Sequence, residues 1–256
     1  MTVSVPATAP PRRGVAWRAL GALGFLTVLP LPARAHGMPT GVTLACFGPA
    51  GLLLGGVMAA LEIALAPVLP LAARSAVLLA VLAAACGAMH LDGLMDSADG
   101  LFGARTRERR LEIMRDSRVG GYGTAAAVLV VLIQYAALSS VVERRPLAVL
   151  AAVGLSRGAA ALALGLARPA RDEGLASVYS VSGRTLAGVV AFAATAAVAI
   201  PLCGWRGAAA CGAALLVVAA VIAVFTRRVG GMTGDGFGAV VELTLAGALL
   251  CLAAQR

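Results

Sequence analysis

The stretch LAVLAAVGLSRGAAALALGLA, residues 147–167, carries a single charged side chain, Arg157, among alanine, leucine, valine and glycine. About 20 apolar residues in a helix are enough to cross the hydrocarbon core of a bilayer. Predominantly apolar segments of similar length recur along the chain, at residues 41–66, 71–92, 122–142, 185–204, 206–226 and 237–254. The sequence therefore predicts an all-α fold, a polytopic integral membrane helical bundle with six to seven transmembrane helices.

The composition of the 256-residue chain supports this prediction. Hydrophobic residues make up 60% and charged residues 13% of it, whereas soluble domains average about 25% charged residues. Because a soluble domain needs polar side chains on its surface, this composition excludes an ordinary soluble protein. The net charge of +9 is typical of basic cytoplasmic loops and does not indicate nucleic-acid binding. The five cysteines form no CxxC pair, so neither a disulfide framework nor a zinc site is expected.

The N-terminal region differs from the apolar segments that follow it. Residues 1–16 are rich in proline, threonine and alanine, and we expect a loose tail there. Residues 17–31 are apolar but too short to span a bilayer, and Pro30 and Pro32 end the segment. They predict a short interfacial or re-entrant helix, with a cleaved signal peptide as the alternative. Residues 17–256 are expected to form a single membrane-embedded domain.

The arginines predict the orientation of the bundle, since the chain contains no lysine. Arginine and lysine concentrate in the cytoplasmic loops of membrane proteins. With the N-terminus inside, most arginines fall on the cytoplasmic side, six of them between residues 105 and 118. This distribution predicts a multi-pass protein of the bacterial inner membrane whose polar window, residues 90–120, faces the cytoplasm.

That polar window begins with three aspartates at helical spacing. Asp92, Asp96 and Asp99 are four and three residues apart, so they share one face if the helix continues out of the membrane. Three carboxylates on one face repel each other unless a cation lies among them. Carboxylate oxygens suit Mg²⁺ or Mn²⁺, which binds a few carboxylates together with substrate phosphate. The alternative is that these aspartates are helix caps or solvated residues at a membrane exit.

Arginines that follow the aspartates indicate a phosphorylated substrate, because guanidinium groups fit phosphate oxygens. Arg105, Arg115 and Arg118 flank the conspicuous segments of the window and are the candidate phosphate ligands. The remaining arginines of the window are expected to face water or anionic lipid; these are Arg107, Arg109 and Arg110. Glu108 and Glu112 are expected to pair with arginine at the surface.

Four further polar features lie outside the aspartate face. Thr233 and Asp235 lie in a glycine-rich turn whose backbone N–H groups can approach phosphate. Glu242 follows inside the last predicted span, where an ionisable group indicates a functional site.

His90, two residues before Asp92, is either a proton acceptor or a hydrogen-bonded histidine at a helix end. Glu62 and Arg157 are charges within predicted spans, and their pairing is a hypothesis.

Three segments of this sequence resemble the bacterial cobalamin synthase family, the adenosylcobinamide-GDP ribazoletransferases. They are HLDGLMDSADGLFGAR at residues 90–105, RRLEIMRDSRVGGYG at 109–123 and GMTGDGFGAVVE at 231–242. GFLTVLPLP at residues 24–32 and PAGLLLGG at 49–56 are also similar to the family. The resemblance extends from about residue 17 to the end of the chain.

The resemblance implies an inner-membrane enzyme that joins adenosylcobinamide-GDP to α-ribazole, or to α-ribazole 5′-phosphate, with Mg²⁺. The products are adenosylcobalamin, or its 5′-phosphate, and GMP, at the final stage of nucleotide-loop assembly. Asp92, Asp96 and Asp99 are then expected to hold Mg²⁺, and Arg105, Arg115 and Arg118 the remaining phosphate oxygens. Thr233 and Asp235 are expected to contact substrate. Asp116, His90 or one of the three aspartates is expected to act as a base where one is needed.

Two other functions remain open at this point. The chemistry is similar to that of CDP-alcohol phosphotransferases, which act on lipid, but the DGxxAR pattern of those enzymes differs here by one residue in spacing. A secondary transporter is the alternative from another class, although its acids belong at mid-bilayer, whereas these acids cluster at one face. Membrane lipid is an expected partner, nucleic acid is not, and a homo-oligomer remains open.

Overall fold

The computed structural model describes residues 14–32, 40–116, 118–171 and 182–254. The expected loose tail lies mostly outside them, at residues 1–13. The described ranges contain helices, the turns and loops that connect them, and one isolated bridge between Pro169 and Met232. Their helices are α1 (Val15–Leu26), α2 (Gly41–Ala45), α3 (Phe47–Leu65), α4 (Leu71–Ala85), α5 (Met89–Gly103), α6 (Arg107–Ile113), α7 (Gly121–Ser140), α8 (Arg145–Leu166), α9 (Arg184–Cys203), α10 (Trp205–Val229) and α11 (Gly234–Ala253).

Six helical segments of the described chain are long and apolar enough to cross a membrane. They are α2 with α3, then α7, α8, α9, α10 and α11, and a bent pair formed by α4 and α5 raises the number to seven if it is one span. The predicted fold class is therefore confirmed. The short apolar helix α1 is also present, and its Phe25 ring stacks on Phe47 of α3 with centroids 5.3 Å apart.

Helix α8 is the centre of the bundle, and nearly all of its residues are buried. It packs against α3, α9, α10 and α11. The contact with α3 is close because a Cβ added at Gly55 would lie 2.6 Å from the backbone oxygen of Leu150. Small residues at membrane-helix interfaces permit this approach, which increases van der Waals contact between backbones.

The segment at residues 71–92, predicted as one span, is instead broken. Helix α4 ends at Ala85, and Gly87 and Ala88 have φ of 58° and 55°. This left-handed turn sends α5 away at 86° to α4. The expectation that a single helix carries the aspartates out of the membrane is therefore wrong, and a separate helix presents them.

The proposed pairing of Glu62 with Arg157 is also wrong. Oε1 of Glu62 accepts hydrogen bonds from Arg74 and Arg145, each at 2.7 Å. Arg145 also donates to Ser75 Oγ at 2.8 Å. This buried network joins α3, α4 and α8 at the end of the bundle opposite the polar window. Arg157 is buried further along α8.

Candidate active site

The three aspartates of α5 have different surroundings. Asp92 is exposed and Asp96 is half-buried, but Asp99 is only 7% exposed. The Asp99 carboxylate accepts backbone N–H bonds from Gly120 at 2.7 Å and from Gly123 at 2.8 Å. These N–H groups belong to the start of α7, where a helix leaves donors unsatisfied and attracts negative charge. Asp99 therefore fixes α7 to α5, while Asp92 and Asp96 keep no such partners in the described chain.

A fourth carboxylate lies at the start of α11. Thr233 caps this helix by accepting a hydrogen bond from the Gly236 N–H at 3.4 Å, and its hydroxyl donates to Asp235 Oδ2 at 3.1 Å. Asp235 is half-buried in the first turn. Its position is therefore set both by the cap and by the direction of α11.

Helices α5 and α11 cross at two glycines, and this crossing brings Asp235 to the α5 aspartates. A Cβ added at Gly93 would lie 2.8 Å from the backbone oxygen of Asp235. A Cβ added at Gly238 would lie 2.6 Å from the backbone oxygen of His90. Only glycine at both positions permits this separation. The crossing thus brings Thr233 and Asp235, which were expected to contact substrate, beside the aspartate face. Asp235 is 142 residues after Gly93 in the sequence.

The charges of these carboxylates act on one another. Asp96 experiences the negative charge of Asp92, Asp235 and Asp99, in addition to partial burial. Within the described ranges, no three His, Cys, Asp or Glu side chains form a complete metal-binding group. Mg²⁺ usually binds proteins through one or two carboxylates, with substrate phosphates and water supplying the rest. The described residues therefore provide carboxylates of the chemical type that binds Mg²⁺, without forming a complete metal site among themselves.

Arginines lie near enough to Asp235 to interact with it electrostatically. Burial and the positive charges of Arg115 and Arg107 lower the pKa of Arg171, whereas the charge of Asp235 raises it. Arg171 donates to the backbone oxygen of Leu111 at 3.1 Å, and its buried Nε has no hydrogen-bond partner among the described residues. Arg115, an expected phosphate ligand, is exposed. The structure thus adds Arg171 to the arginines near the carboxylates.

The other two expected phosphate ligands are exposed. Arg105 directly follows the end of α5. Arg118 forms an ion pair with Asp116, whose nearest N–O distance is 2.7 Å. The hydrogen bonds from Arg118 lower the pKa of Asp116 to about 2. A carboxylate with so low a pKa is a weak proton acceptor at neutral pH, so the geometry does not favour Asp116 as the base.

Two of the arginines expected to face water or lipid also make structural hydrogen bonds. Arg107 donates to the backbone oxygens of Val229 and Ala170, both at 2.9 Å. Arg110 donates to the backbone oxygens of Ala104 at 3.1 Å and Arg228 at 3.0 Å. These contacts bind α6 to the end of α10 and to the loop after α8. The expected exposure is confirmed for Arg107 and Arg109, whereas Arg110 is half-buried. The Arg109–Glu112 surface pair, with an N–O distance of 2.7 Å, confirms the pairing expected for Glu112.

Two candidate residues lie inside the bundle. His90 is only 6% exposed, and its Nδ1 has no hydrogen-bond partner in the part of the chain that the structure describes. Glu242 is buried, and its carboxylate accepts a hydrogen bond from Gln134 Nε2 at 2.8 Å. The Gln134 contact joins α7 to α11. His90 thus lies at the start of α5, as the interpretation as a helix-end histidine expected, and its Nδ1 makes no hydrogen bond within the described residues.

Comparison with known protein families assigns the chain. Residues 18–253 match the family described as cobalamin-5-phosphate synthase, and this match includes every site element described above. The chain belongs to the cobalamin-5-phosphate synthase family. This result favours neither the hypothesis of a CDP-alcohol phosphotransferase nor that of a transporter.

Curated relatives of this cobalamin-5-phosphate synthase family member cover most of its length. An adenosylcobinamide-GDP ribazoletransferase of Escherichia coli O17:K52:H18 is 40% identical over 233 residues, which are 86% of this chain and 93% of the relative. The ribazoletransferase of Klebsiella pneumoniae subsp. pneumoniae is 38% identical over 231 residues, covering 87% and 93% respectively. No solved structure matches the chain.

In this family member, sequence reasoning missed two kinds of site residue. The sequence does not distinguish Arg171 from other arginines in the loop after α8, because its proximity to Asp235 depends on how α11 packs beside it. Gly120 and Gly123 were visible only as part of a motif, although their N–H groups hold Asp99. The signal available in the sequence was the GGYG run at residues 120–123, two positions after Arg118, the last arginine of the window.

Proposed function

We propose that this protein transfers the cobinamide phosphate of adenosylcobinamide-GDP to α-ribazole, or to α-ribazole 5′-phosphate, and releases GMP. The observation that carries the proposal is the meeting of four aspartates and several arginines at one end of a membrane bundle whose relatives are ribazoletransferases. The product is adenosylcobalamin, or its 5′-phosphate. Either acceptor presents the same ribose hydroxyl to the site.

The reaction is a phosphoryl-group displacement at the phosphorus attached to cobinamide. The ribazole 3′-hydroxyl oxygen forms the new P–O bond, the pyrophosphate P–O bond breaks, and GMP leaves with the bridging oxygen. The hydroxyl proton passes to water. Arg115 and Arg171 would supply positive charge that stabilises the phosphate oxygens.

The three α5 aspartates take different parts in this proposal. Asp92 and Asp96 would hold Mg²⁺ with Asp235 beside them, and bound Mg²⁺ would neutralise charge on the pyrophosphate. Asp99, the third aspartate expected at the metal, has both oxygens engaged by α7 and orients the helix that carries the others. The repulsion among the carboxylates at Asp96 supports a cation at this position.

We place the site at the cytoplasmic face of the bacterial inner membrane. The support is the concentration of arginines at this end of the bundle, including Arg105, Arg115 and Arg171, because cytoplasmic loops carry the excess of basic residues. A cysteine introduced at Arg118, which is 87% exposed in its side chain, should be protected from a membrane-impermeant maleimide in intact cells. Labelling in intact cells above the wild-type level would contradict this orientation.

Release of GMP tests the proposed function directly. The purified protein, supplied with Mg²⁺, adenosylcobinamide-GDP and α-ribazole, should release one GMP for each adenosylcobalamin formed. Chelation of Mg²⁺ should stop the reaction and readdition should restore it. Asp92→Asn and Asp96→Asn should each lower kcat by roughly a hundredfold or more, the usual loss when charge stabilisation of a transition state is removed.

The matched control is Glu108→Gln, a charge removal on the exposed surface of α6. It should keep the wild-type rate. Absence of GMP from the wild-type protein, or equal rates for Asp92→Asn and Glu108→Gln, would refute the proposal. CDP-diacylglycerol offered in place of adenosylcobinamide-GDP should yield no CMP.

A further inference from the structure

The loop after α8 and the turn before α11 meet at the isolated bridge of the fold. The N–H of Ala170 donates to the Met232 oxygen at 2.9 Å, and the N–H of Met232 donates to the Arg168 oxygen at 2.8 Å. Arg171 directly follows Ala170, and Asp235 is three residues after Met232. The bridge therefore connects the segment that carries a cation of the candidate site to the segment that carries one of its carboxylates.

This bridge is too small to be rigid by itself. Even a complete two-stranded hairpin is only marginally stable in water, and within the described residues this bridge belongs to no larger sheet. The turn beside it passes through Gly230, whose φ of 84° is in the left-handed region. The two backbones also touch, since a Cβ added at Gly231 would lie 2.6 Å from the Arg168 oxygen. A further contact that holds both segments at once should therefore control their spacing.

Arg107 of α6 makes such a contact. Its Nε donates to the Val229 oxygen and its Nη2 to the Ala170 oxygen, both at 2.9 Å. The Val229 oxygen is one of the carbonyls that the end of α10 leaves without an intrahelical partner. The Ala170 oxygen belongs to the same peptide group as the N–H of Arg171. One planar guanidinium thus binds the end of α10 and the backbone that begins Arg171.

Helix α6 holds the side chain of Arg171 as well as its backbone. Arg171 donates to the Leu111 oxygen at 3.1 Å, and the charges of Arg107 and Asp235 both act on its guanidinium. The other arginine of α6 with backbone contacts differs in its partners. Arg110 donates to the oxygens of Ala104 and Arg228 and so contacts the end of α10 without contacting Ala170.

Resting on the proposed function, in which Arg171 supplies positive charge to the substrate phosphates, we infer that Arg107 is a positioning residue for that charge. Its two hydrogen bonds hold the Arg171 backbone at a fixed distance from the turn that leads to Asp235. Lysine keeps the positive charge but has one terminal nitrogen in place of the planar fork, so it does not reproduce both bonds. The donor substrate carries a pyrophosphate and α-ribazole carries no phosphate, so the loss should affect the donor alone.

Arg107→Lys tests the inference through the two substrates. It should raise KM for adenosylcobinamide-GDP roughly fivefold or more. The Kd of the same donor, measured without acceptor, should weaken by the same factor, while KM for α-ribazole stays at the wild-type value. An equal rise in KM for both substrates would indicate a general loss of structure and would overturn the inference.

The matched control is Arg110→Lys. It keeps the charge and removes two hydrogen bonds from α6 to backbone oxygens, as Arg107→Lys does, but it leaves Ala170 untouched. The donor KM and Kd should therefore remain at their wild-type values in this variant. Equal effects of Arg107→Lys and Arg110→Lys on the donor would show that no specific role belongs to the contact with Ala170.

A second background shows whether Arg107 acts through Arg171. Arg171→Gln removes the positive charge and should itself raise KM for the donor roughly tenfold or more. In the Arg171→Gln background, Arg107→Lys should cause no further rise, because the charge that it positions is already absent. If the effects of the two substitutions multiply, Arg107 acts independently of Arg171 and the inference is wrong.

Failure of the inference differs from failure of the proposed function. If the wild-type protein binds the donor but releases no GMP, the proposed function fails, and the donor Kd of Arg107→Lys still decides the inference. If the wild-type protein releases GMP but Arg107→Lys leaves the donor KM and Kd unchanged, the inference alone is wrong. If Arg107→Lys does not elute as a folded protein, Arg107→Gln replaces it, and the same outcomes apply.

Discussion

The crossing of α5 and α11 at Gly93 supports a quantitative prediction for Gly93→Ala. The added Cβ would lie 2.8 Å from the Asp235 backbone oxygen and 3.1 Å from its Cα, whereas ordinary contact begins at 3.4 Å. Both obstacles are backbone atoms, so no side-chain rotation relieves them. The two helices must therefore separate by about 0.6 Å at the point that positions Asp235 beside Asp92 and Asp96.

This separation should affect activity more than stability. Overpacking costs about 1–3 kcal/mol in the free energy of unfolding, but alanine is favoured over glycine in a helix by up to about 1 kcal/mol. The net loss is therefore about 0–2 kcal/mol. A displacement of 1 Å at a reacting group can cost about a hundredfold in rate, so a shift of 0.6 Å should lower kcat by about tenfold or more.

The assay is GMP release per folded protein, with folding checked by size-exclusion elution and thermal unfolding in the same detergent. Gly247→Ala is the control, because it lies on α11 and its added Cβ would meet its nearest neighbour at an ordinary 3.7 Å. This control should keep wild-type kcat. A wild-type kcat for Gly93→Ala would refute the reasoning that the crossing sets the carboxylate spacing.

Three further substitutions have defined outcomes. Asp99→Asn leaves one of two backbone donors at the start of α7 without an acceptor and should lower the free energy of unfolding by about 1–3 kcal/mol; unchanged thermal unfolding would contradict the positioning role. Glu62→Gln leaves two buried arginines uncompensated and should cost about 3–5 kcal/mol, while kcat per folded protein stays at the wild-type value; a loss of kcat would link the opposite end of the bundle to the site. Arg107→Lys loses the guanidinium fork and should speed hydrogen exchange in the loop after α10; equal exchange would show that the fork is dispensable there.

The sequence predicted the helices closely because an apolar segment in a bilayer has few alternatives to a helix of about 20 residues. The span predicted at residues 185–204, for example, forms α9 at Arg184–Cys203. The aspartate spacing also predicted a helix that carries Asp92, Asp96 and Asp99, and α5 carries all three. Sequence spacing did not distinguish their surroundings, because the N–H groups that engage Asp99 lie 21 and 24 residues away.

The partners of the buried charges were likewise not predictable from the sequence. Glu62 and Arg157 both lie within apolar segments, and nothing in their neighbours indicates which partner each takes. In the structure, Glu62 pairs with Arg74 and Arg145, because the ends of α3, α4 and α8 meet at this point. Arg157 lines the wall of a cavity. Pairing between side chains depends on helix directions, which hydropathy does not encode.

The sequence alone determined the membrane-bundle class, the approximate span boundaries and the location of most charges at one end, because these follow from composition and order along the chain. Tertiary structure alone decided the left-handed break before α5, the position of Asp235 beside the α5 aspartates, the presence of Arg171 near them, and the cavity beside His90. Each of these depends on distances between backbones remote in sequence. At the α5–α11 crossing, that distance is set by two glycines whose missing side chains bring the helices together.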